Sequence, residues 1–351
     1  MARGFGGLDL IIQHNVLNTF PLLDKSVHCV VTSPPYWGLR DYGMSDQIGL
    51  EPSPVEYVNH IRQVFREIHR VLRDDGTVWL NLGDSYAAQR GGTHQPAETL
   101  AGGIGGKTED GEAVNRGRHD GYNPSRNASA FGLKHKDLCG IPWRVAFALQ
   151  EDGWYLRQDI IWNKPSVMPE SVRDRCTKSH EYMFLLTKSD KYYFDNEAIK
   201  EPAVSTDTSK RNRDETKLNN TPGRTKMAGL KTNHYTTRNK RSVWTIASKP
   251  YKGAHFATFP PKLVEPCVLA GTSEKGCCAA CGAPVIRQVK TIGWESSCSC
   301  TTAVVPCRVL DPFSGSGTTV MVSQSLGREG IGFELNPEYI ALAEERLKLG
   351  K

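Results

Sequence analysis

No apolar run in this 351-residue chain approaches the ~18 residues of a membrane span. The opening stretch, MARGFGGLDLIIQHN, lacks the long apolar segment of a secretory signal. Charge of one sign is also scarce. The net is +6, which permits contact with nucleic acid without demanding it. The chain is therefore expected in the cytoplasm, with no membrane partner. Wholesale disorder is excluded in turn, because 38% of residues are hydrophobic and only 23% charged. In a reducing compartment ten cysteines do not make a disulfide framework, so a close cluster reads first as a metal site.

At ~150 residues per domain, the length predicts two units or one α/β domain with insertions. Residues 1–84 have compact α/β texture. LDLIIQHN and VHCVVTSPPY read as strands, the second running into a Pro-Pro turn. Ser53-Pro54-Val55-Glu56 opens a helix, with Ser53 at the N-cap, Pro54 in the first turn and Glu56 at the reciprocal capping position. Val58, Ile61, Phe65, Ile68 and Leu72 follow at helical steps, and Asp74-Asp75-Gly76 is expected to end the helix before the strand TVWLNLGD. Residues 85–137 break this texture. Ten glycines fall between Gly91 and Gly132 with few large apolar residues, which predicts a flexible insertion. A helix over Pro142–Gln150 and strands in RQDIIWNK and EYMFLLTK come next.

From Lys200 to Lys252 there are thirteen Lys and Arg against four Asp and Glu, so this segment is +9 and the rest of the chain about −3. A solvated loop and a phosphate-contacting or base-reading segment both fit that pattern. Pro261–Ala270 reads as a helix. RVLDPFSGSGTT is a strand and turn leading into a helix to Leu326. EGIGFEL is another strand, and a last helix opens at Asn336-Pro337.

Two turns carry chemistry. In VLDPFSGSGTTV, Gly315 and Gly317 allow a tight turn and close backbone approach to a ligand at a helix start. The third Gly of the dinucleotide fingerprint is missing, and a purely structural turn has the same look. Glu334 ends the next strand about twenty residues on, where an acid suits a ribose diol. Asp311 at the strand tip repels phosphate but can accept from an ammonium. Together the pair points to an adenosyl compound with a free amino acid, and S-adenosylmethionine fits. The other turn is Thr32-Ser33-Pro34-Pro35-Tyr36. Two prolines remove two backbone donors and leave rigid carbonyls that can accept from an exocyclic amine. Ser33 adds an acceptor and Tyr36 an aromatic face. Pro-Pro-aromatic segments also serve simply as rigid turns or edge terminators.

TSPPYWGLRDYG together with DPFSGSGTT resembles the amino-methylating DNA methyltransferases, which use S-adenosylmethionine and act on N4 of cytosine or N6 of adenine. The likeness extends through GTVWLNLGDSY, IIWNKP, SHEYMFLLTKS and HFATFPPKLV. It implies a doubly wound α/β fold: a seven-stranded, mostly parallel Rossmann-like methyltransferase sheet. The Pro-Pro turn comes first and the Asp-Pro-Phe turn last, as in the circularly permuted β group. The resemblance makes Ser33, Pro34, Pro35 and Tyr36 catalytic. It assigns Asp311, Pro312, Phe313, Gly315, Gly317, Thr318, Thr319, Glu334 and Asn336 to the cofactor. Phe256, Thr258, Phe259 and Pro260 are expected along its methionine end. Asn15 stands near its adenine ring, where the family usually has Asp. Family members with Ser before Pro-Pro-Tyr mostly methylate cytosine N4, and those with Asp or Asn mostly adenine N6.

The implied division is 1–84 with 138–199 as the catalytic half, and 253–275 with 304–351 as the cofactor half. Residues 85–137 are the Gly-rich insertion, 200–252 the target-recognition segment, and 276–303 a small zinc-ribbon-like insertion. In that last piece Cys278, Cys281, Cys298 and Cys300 form a CxxC and a CxC pair that suit tetrahedral zinc. Cys277 and Cys307 are spare ligands, and reduced free thiols are the alternative.

The expected activity is methyl transfer from S-adenosylmethionine to N4 of a flipped-out cytosine in double-stranded DNA. Tyr36, with Trp37, stacks on the base, and Ser33 and the Pro34 carbonyl accept its amino hydrogens. Such enzymes occur beside a cognate restriction endonuclease and in phages. The alternatives are N6-adenine methylation on the same scaffold, a non-catalytic zinc-containing DNA-binding protein, and methylation of RNA or protein. C5-cytosine chemistry needs a Cys after Pro and downstream of the cofactor turn. Pro266-Cys267 and Pro306-Cys307 match the dipeptide but precede that turn.

Overall fold

The computed structural model describes residues 10–87, 131–203, 236–248, 259–288 and 293–349. Most of the Gly-rich insertion, residues 204–235 of the basic segment, and the expected cofactor residues Phe256 and Thr258 lie outside the described residues. Strands in chain order are β1 (Leu10–Gln13), β2 (Val27–Thr32), β3 (Leu72–Leu82), β4 (Tyr155–Asn163), β5 (His180–Thr187), β6 (Glu201–Pro202), β7 (Thr237–Arg238) and β8 (Val243–Thr245). They continue with β9 (Cys277–Cys278), β10 (Val285–Gln288), β11 (Gly293–Ser296), β12 (Val304–Val305), β13 (Arg308–Asp311) and β14 (Glu329–Glu334). The helices are α1 (Pro54–Val71), α2 (Ile141–Glu151), α3 (Pro261–Gly271), α4 (Thr318–Ser325) and α5 (Pro337–Leu349). No helix among the described residues is long and apolar enough to cross a membrane.

The main sheet has eight strands, ordered β1-β14-β13-β2-β3-β5-β4-β8. Only β5 runs against its neighbours; the other pairings are parallel. The expectation of seven strands is corrected by β8. This short piece of the basic segment extends the edge because Trp244 is buried against Trp79, with ring centroids 6.2 Å apart, while its neighbours Val243 and Thr245 stay exposed.

Alternation along β2 assigns the two faces. Val30 packs with α1 and α2 through Ile61, Phe65, Val145 and Leu149. Cys29 and Val31 pack on the opposite face with Leu263, Val264 and Val268 of α3 and Val322 of α4. The sheet is thus covered on both faces, as parallel strands require.

Helix α1 begins as its cap motif predicts. The Ser53 hydroxyl accepts from the Glu56 amide at 3.1 Å, and the Glu56 carboxylate accepts from the Ser53 hydroxyl at 3.0 Å. It ends earlier than expected, at Val71. Leu72 is fully buried and already pairs with Val27 of β2, so sheet formation overrides the helical pattern. At the other end of β3 the Asp84 carboxylate accepts from the Gly140 and Ile141 amides, at 3.1 and 3.0 Å, and caps α2 from across the chain. Asn336 caps α5 as expected, accepting from the Glu338 amide at 2.9 Å.

The packing beneath the Gly-rich turn is tight. A methyl added at Gly332 of β14 lies 2.7 Å from Ile11 Cδ1 and 2.8 Å from Ser314 Cβ. Gly332→Ala is expected to lower stability by about 1–3 kcal/mol, as overpacking does. Thermal denaturation checks this, and an unchanged midpoint contradicts it.

Candidate active site

The chain leaves β13 toward β14 on one side and leaves β2 toward β3 on the other. The crevice between β13 and β2, at the carboxyl ends of the parallel strands, is therefore a topological switch point, the place where open α/β sheets bind ligands. Both turns singled out in the sequence emerge there. Asp311–Gly317 leaves the tip of β13, and Ser33–Tyr36 leaves the tip of β2. Glu334 ends β14, and Asn15 follows β1. Four adjacent strand tips thus gather residues from both ends of the chain.

Asp311 occupies a different place from the one expected. It is 1% exposed. Its carboxylate accepts from Thr32 Oγ1 at 2.7 Å, Thr319 Oγ1 at 2.8 Å and the Phe313 amide at 3.1 Å. It therefore braces the crevice from inside rather than offering an open acceptor to an ammonium. Burial pushes its carboxyl up to about 6.

Thr318 and Thr319 are committed in the same way. The Thr319 hydroxyl serves Asp311, and Arg346 of α5 donates to Thr318 Oγ1 at 2.9 Å and to Ser316 Oγ at 2.9 Å. Gly315 and Gly317 have φ of +51° and +73°, which favour glycine, and a side chain at Gly317 meets Ala343 Cβ at 3.1 Å. Glu334 accepts from the Gly315, Leu335 and Asn336 amides, at 2.8, 2.9 and 2.9 Å, and burial raises its carboxyl above the usual range. The Asn15 side-chain carbonyl accepts from the Leu17 amide at 3.0 Å. Phe313 packs onto the core.

Phe259 and Pro260 precede α3. Gly271 at the far end of α3 lies against Cys29 and Thr77, so the helix runs away from the carboxyl edge and its start faces that edge. Ser314 Oγ in the glycine turn and His14 Nε2 after β1, both beside β14, are buried with no hydrogen-bond partner among the described residues. A positive-φ glycine turn, an acid at the next strand tip and orphaned polar atoms fit an adenosyl ligand with several polar groups.

On the β2 side, Tyr36 is anchored at both ends. A side chain at Gly83 would lie 2.5 Å from Tyr36 Cε2, so the ring rests against glycine backbone. Its hydroxyl lies 2.9 Å from Asn81 Oδ1 and 2.8 Å from Glu181 Oε2, and Lys164 pairs with the other Glu181 oxygen. Burial, followed by the Glu181 charge, holds the phenol well above its ordinary value, so Tyr36 is neutral. Ser33 Oγ sits 3.3 Å from the Tyr36 hydroxyl. The Pro35 carbonyl accepts from Tyr57 at 2.9 Å, which stiffens the turn.

Trp37, expected to help stack a base, is 1% exposed and donates to the Glu51 carbonyl at 2.9 Å. It is a core residue. Consecutive residues of a turn point in different directions, and here Trp37 goes into the core while Tyr36 joins Ser33, Asn81 and Glu181. Asn81, Glu181, Lys164 and Gly83 carried no assigned role in the sequence. Their signal was polar residues, and one glycine, at the ends of otherwise apolar strands.

The cysteines divide into two groups. The thiols of Cys278, Cys281, Cys298 and Cys300 lie within 4.8 Å of one another. Cys277 and Cys307, read as spare ligands, instead cluster with His28 in the interior. Neither Pro-Cys dipeptide supplies a nucleophile. Cys267 is fully buried in α3 and its thiol is pushed well above the ordinary range, while Cys307 is 1% exposed.

A doubly wound sheet with a glycine turn and a Pro-Pro-Tyr turn side by side at its switch point defines the class of nucleotide-cofactor methyltransferases that work on an amino group. A family model described as DNA methylase matches residues 27–345, and the chain belongs to that family. Type II methyltransferase M.SmaI of Serratia marcescens is 45% identical over 327 residues, covering 93% of this chain and 86% of that one. Type II methyltransferase M.Cfr9I of Citrobacter freundii is 43% identical over 339 residues, covering 95% and 85%. The solved structure of PvuII DNA methyltransferase (cytosine-N4-specific) matches with a TM-score of 0.51 and 16% identity over 94% of this chain and 86% of that one, a likeness of fold.

Asp311 generates a test. Its folded carboxyl titrates at about 6, against 3.8 as the ordinary value. A raised acid holds its proton longer in the folded state, so its contribution to stability is lost as pH rises from about 4 to about 6 and stays lost above. The two-unit shift corresponds to something on the order of 3 kcal/mol. Relative to Asp311→Asn, the wild type should lose stability across that window in denaturant titrations. Parallel profiles contradict the buried placement.

Proposed function

We propose that this chain transfers a methyl group from S-adenosylmethionine to the exocyclic N4 of a cytosine flipped out of double-stranded DNA, as a modification methyltransferase of the type II kind. S-adenosylmethionine, when bound, would supply a sulfonium methyl: the new N–C bond would form as the S–C bond breaks to leave a neutral thioether, and the displaced N–H proton would pass to solvent. Glu334 would accept one ribose hydroxyl through the lone pair of Oε2 that the Gly315 amide leaves free. The Gly315–Gly317 turn lets the ligand approach the backbone. Pro312, Phe313, Phe259, Pro260 and Asn15 line the rest. Ser33 and the Pro34 carbonyl accept the amino hydrogens and so aim the nitrogen lone pair across the crevice. The Tyr36 ring stacks on the base, and Asn81 and Glu181 hold its plane. Positioning of this kind supplies most of what a direct displacement needs.

The observation that carries the reading is the Ser33–Tyr36 turn lying one strand away from the Asp311–Gly317 turn. Ser33 at the acceptor position favours cytosine over adenine. The chain order of the two turns follows the permuted β group. The basic segment 200–252 reads the DNA. The short β6–β7 ribbon pairs residues 201–202 with 237–238. Arg238 and Arg241 are tied to Glu201 at 2.8 and 2.7 Å, which leaves phosphate contact to the other basic residues. A structural zinc ion at the four clustered thiols completes the reading and takes no part in the transfer.

Incubating the protein with unmodified DNA and methyl-labelled cofactor, then digesting to nucleosides, decides the target. Label in N4-methylcytosine is expected. Label in N6-methyladenine overturns the base assignment, and label in neither overturns the mechanism. Tyr36→Ala should weaken base stacking by about 1–3 kcal/mol, and turnover equal to the wild type excludes the stacking role.

A further inference from the structure

The piece 276–305 has almost no core of its own. Among its described residues the buried hydrophobic side chains are Cys277 and Cys278, while Val304 and Val305 are 56% and 39% exposed. Its strands form two short ribbons, β10–β11 and β9–β12. Two-stranded ribbons are marginal without a packed face, and a unit of this size needs a staple.

The four thiols stand where such a staple belongs. A tetrahedral zinc–thiolate site with bonds of about 2.3 Å has sulfur–sulfur edges of about 3.8 Å, and the four Sγ atoms already lie within 4.8 Å of one another. The first pair has the turn that presents two thiols to one ion. The Gly282 amide donates to the Cys278 carbonyl at 2.8 Å, and Gly282 has φ of +69°. The second pair arrives from beyond β11, and the Ala279 amide donates to the Ala303 carbonyl at 2.9 Å to bring the two together.

The turn is also bolted to the sheet at the edge opposite the active site. Arg73, held by Asp75 at 2.8 and 3.0 Å, donates to the Cys281 carbonyl at 2.7 Å. His28 Nδ1 accepts from the Arg308 amide at 3.0 Å, so Nε2 carries the proton and donates to the Gly282 carbonyl at 2.9 Å. His28, Arg73 and Arg308 stand at the beginnings of β2, β3 and β13. Both His28 nitrogens are thereby used, and the neighbouring His28–Cys277–Cys307 group is left as hydrogen-bonded packing rather than a second metal site. The Arg73 guanidinium also faces a centre whose ion and four thiolates sum to about −2. Six residues of β2 separate this edge from Ser33, about 20 Å.

We propose that Cys278, Cys281, Cys298 and Cys300 bind one zinc ion whose role is to stand in for the missing core of 276–305 and, through Arg73 and His28, to pin the starting ends of β2, β3 and β13. This rests on the zinc reading above and adds its consequence: the metal stabilises the rear of the sheet and leaves the cofactor crevice unaffected.

The full chain, purified without added metal, is analysed for zinc and iron, then stripped with a chelator and followed by hydrogen exchange and by cobalt titration. One zinc per chain is expected, with a tetrathiolate cobalt spectrum after exchange and loss of the metal in Cys281→Ser/Cys300→Ser. Stripping should speed exchange at Val27–Cys29, Arg308 and 276–288, and leave 311–319 unchanged. Arg73→Met should keep the zinc but bring the exchange at Val27–Cys29 to the stripped level. Zinc near zero, or iron in its place, overturns the metal reading itself. One zinc per chain with exchange at Val27–Cys29 unaffected by stripping overturns the pinning role alone. Equal loss of protection at 311–319 overturns the separation of the two edges.

Discussion

The buried Asp311 carboxylate is the contact on which the active site depends. It takes a hydroxyl from Thr32 at the tip of β2 and another from Thr319 at the start of α4. Thr32 and Asp311 are 279 residues apart in sequence and on neighbouring strands in space. The Pro-Pro-Tyr turn after β2 and the glycine turn after β13 are thus joined through one acid between them. Thr319 also donates to the Val31 carbonyl at 3.2 Å, so helix, strand and acid form one hydrogen-bonded unit. Burying a carboxyl disfavours its charged form, as its raised pKa records. That burden is tolerated because three donors are already in place.

Around this joint the sheet separates functions by edge. The carboxyl edge carries the two turns, Glu334, and the Tyr36–Asn81–Glu181–Lys164 group, which depends on β5 running backward so that Glu181 at its start meets strand ends. The opposite edge carries the four-thiol turn. The basic segment returns to the sheet through β8 at the far side, beyond β4. Among the described residues the added pieces join the sheet at loops and edges, and chain added between fixed ends costs little closure entropy for each doubling of its length.

The elements were mostly legible in the sequence because each has a local cause. Ser53 and Asn336 are side-chain caps, Gly315 and Gly317 need positive φ, and the apolar strands are bounded by turns. What sequence missed depends on partners far along the chain. Leu72 leaves the helix for β2. Asp311 turns inward because Thr32 and Thr319 meet it. Trp37 is claimed by the core while Tyr36, one residue away, is claimed by Asn81 and Glu181. Val243–Thr245 becomes an eighth strand because Trp244 finds Trp79. The CxxC and CxC spacing named four thiols that do lie together, but Cys277 and Cys307 could be separated from them only by locating His28.

In the proposed reaction an amino group held at Ser33 and a methyl donor held along the Gly315–Gly317 turn meet across the β2–β13 crevice. The direct measurement is a crystal structure of the chain with a non-transferable cofactor analogue and a DNA duplex. A cytosine is expected outside the stack, its N4 within about 2.6–3.2 Å of Ser33 Oγ or the Pro34 carbonyl, its ring on Tyr36, and the analogue's ribose on Glu334. A target base seated elsewhere, or an analogue bound away from the Gly315–Gly317 turn, contradicts it.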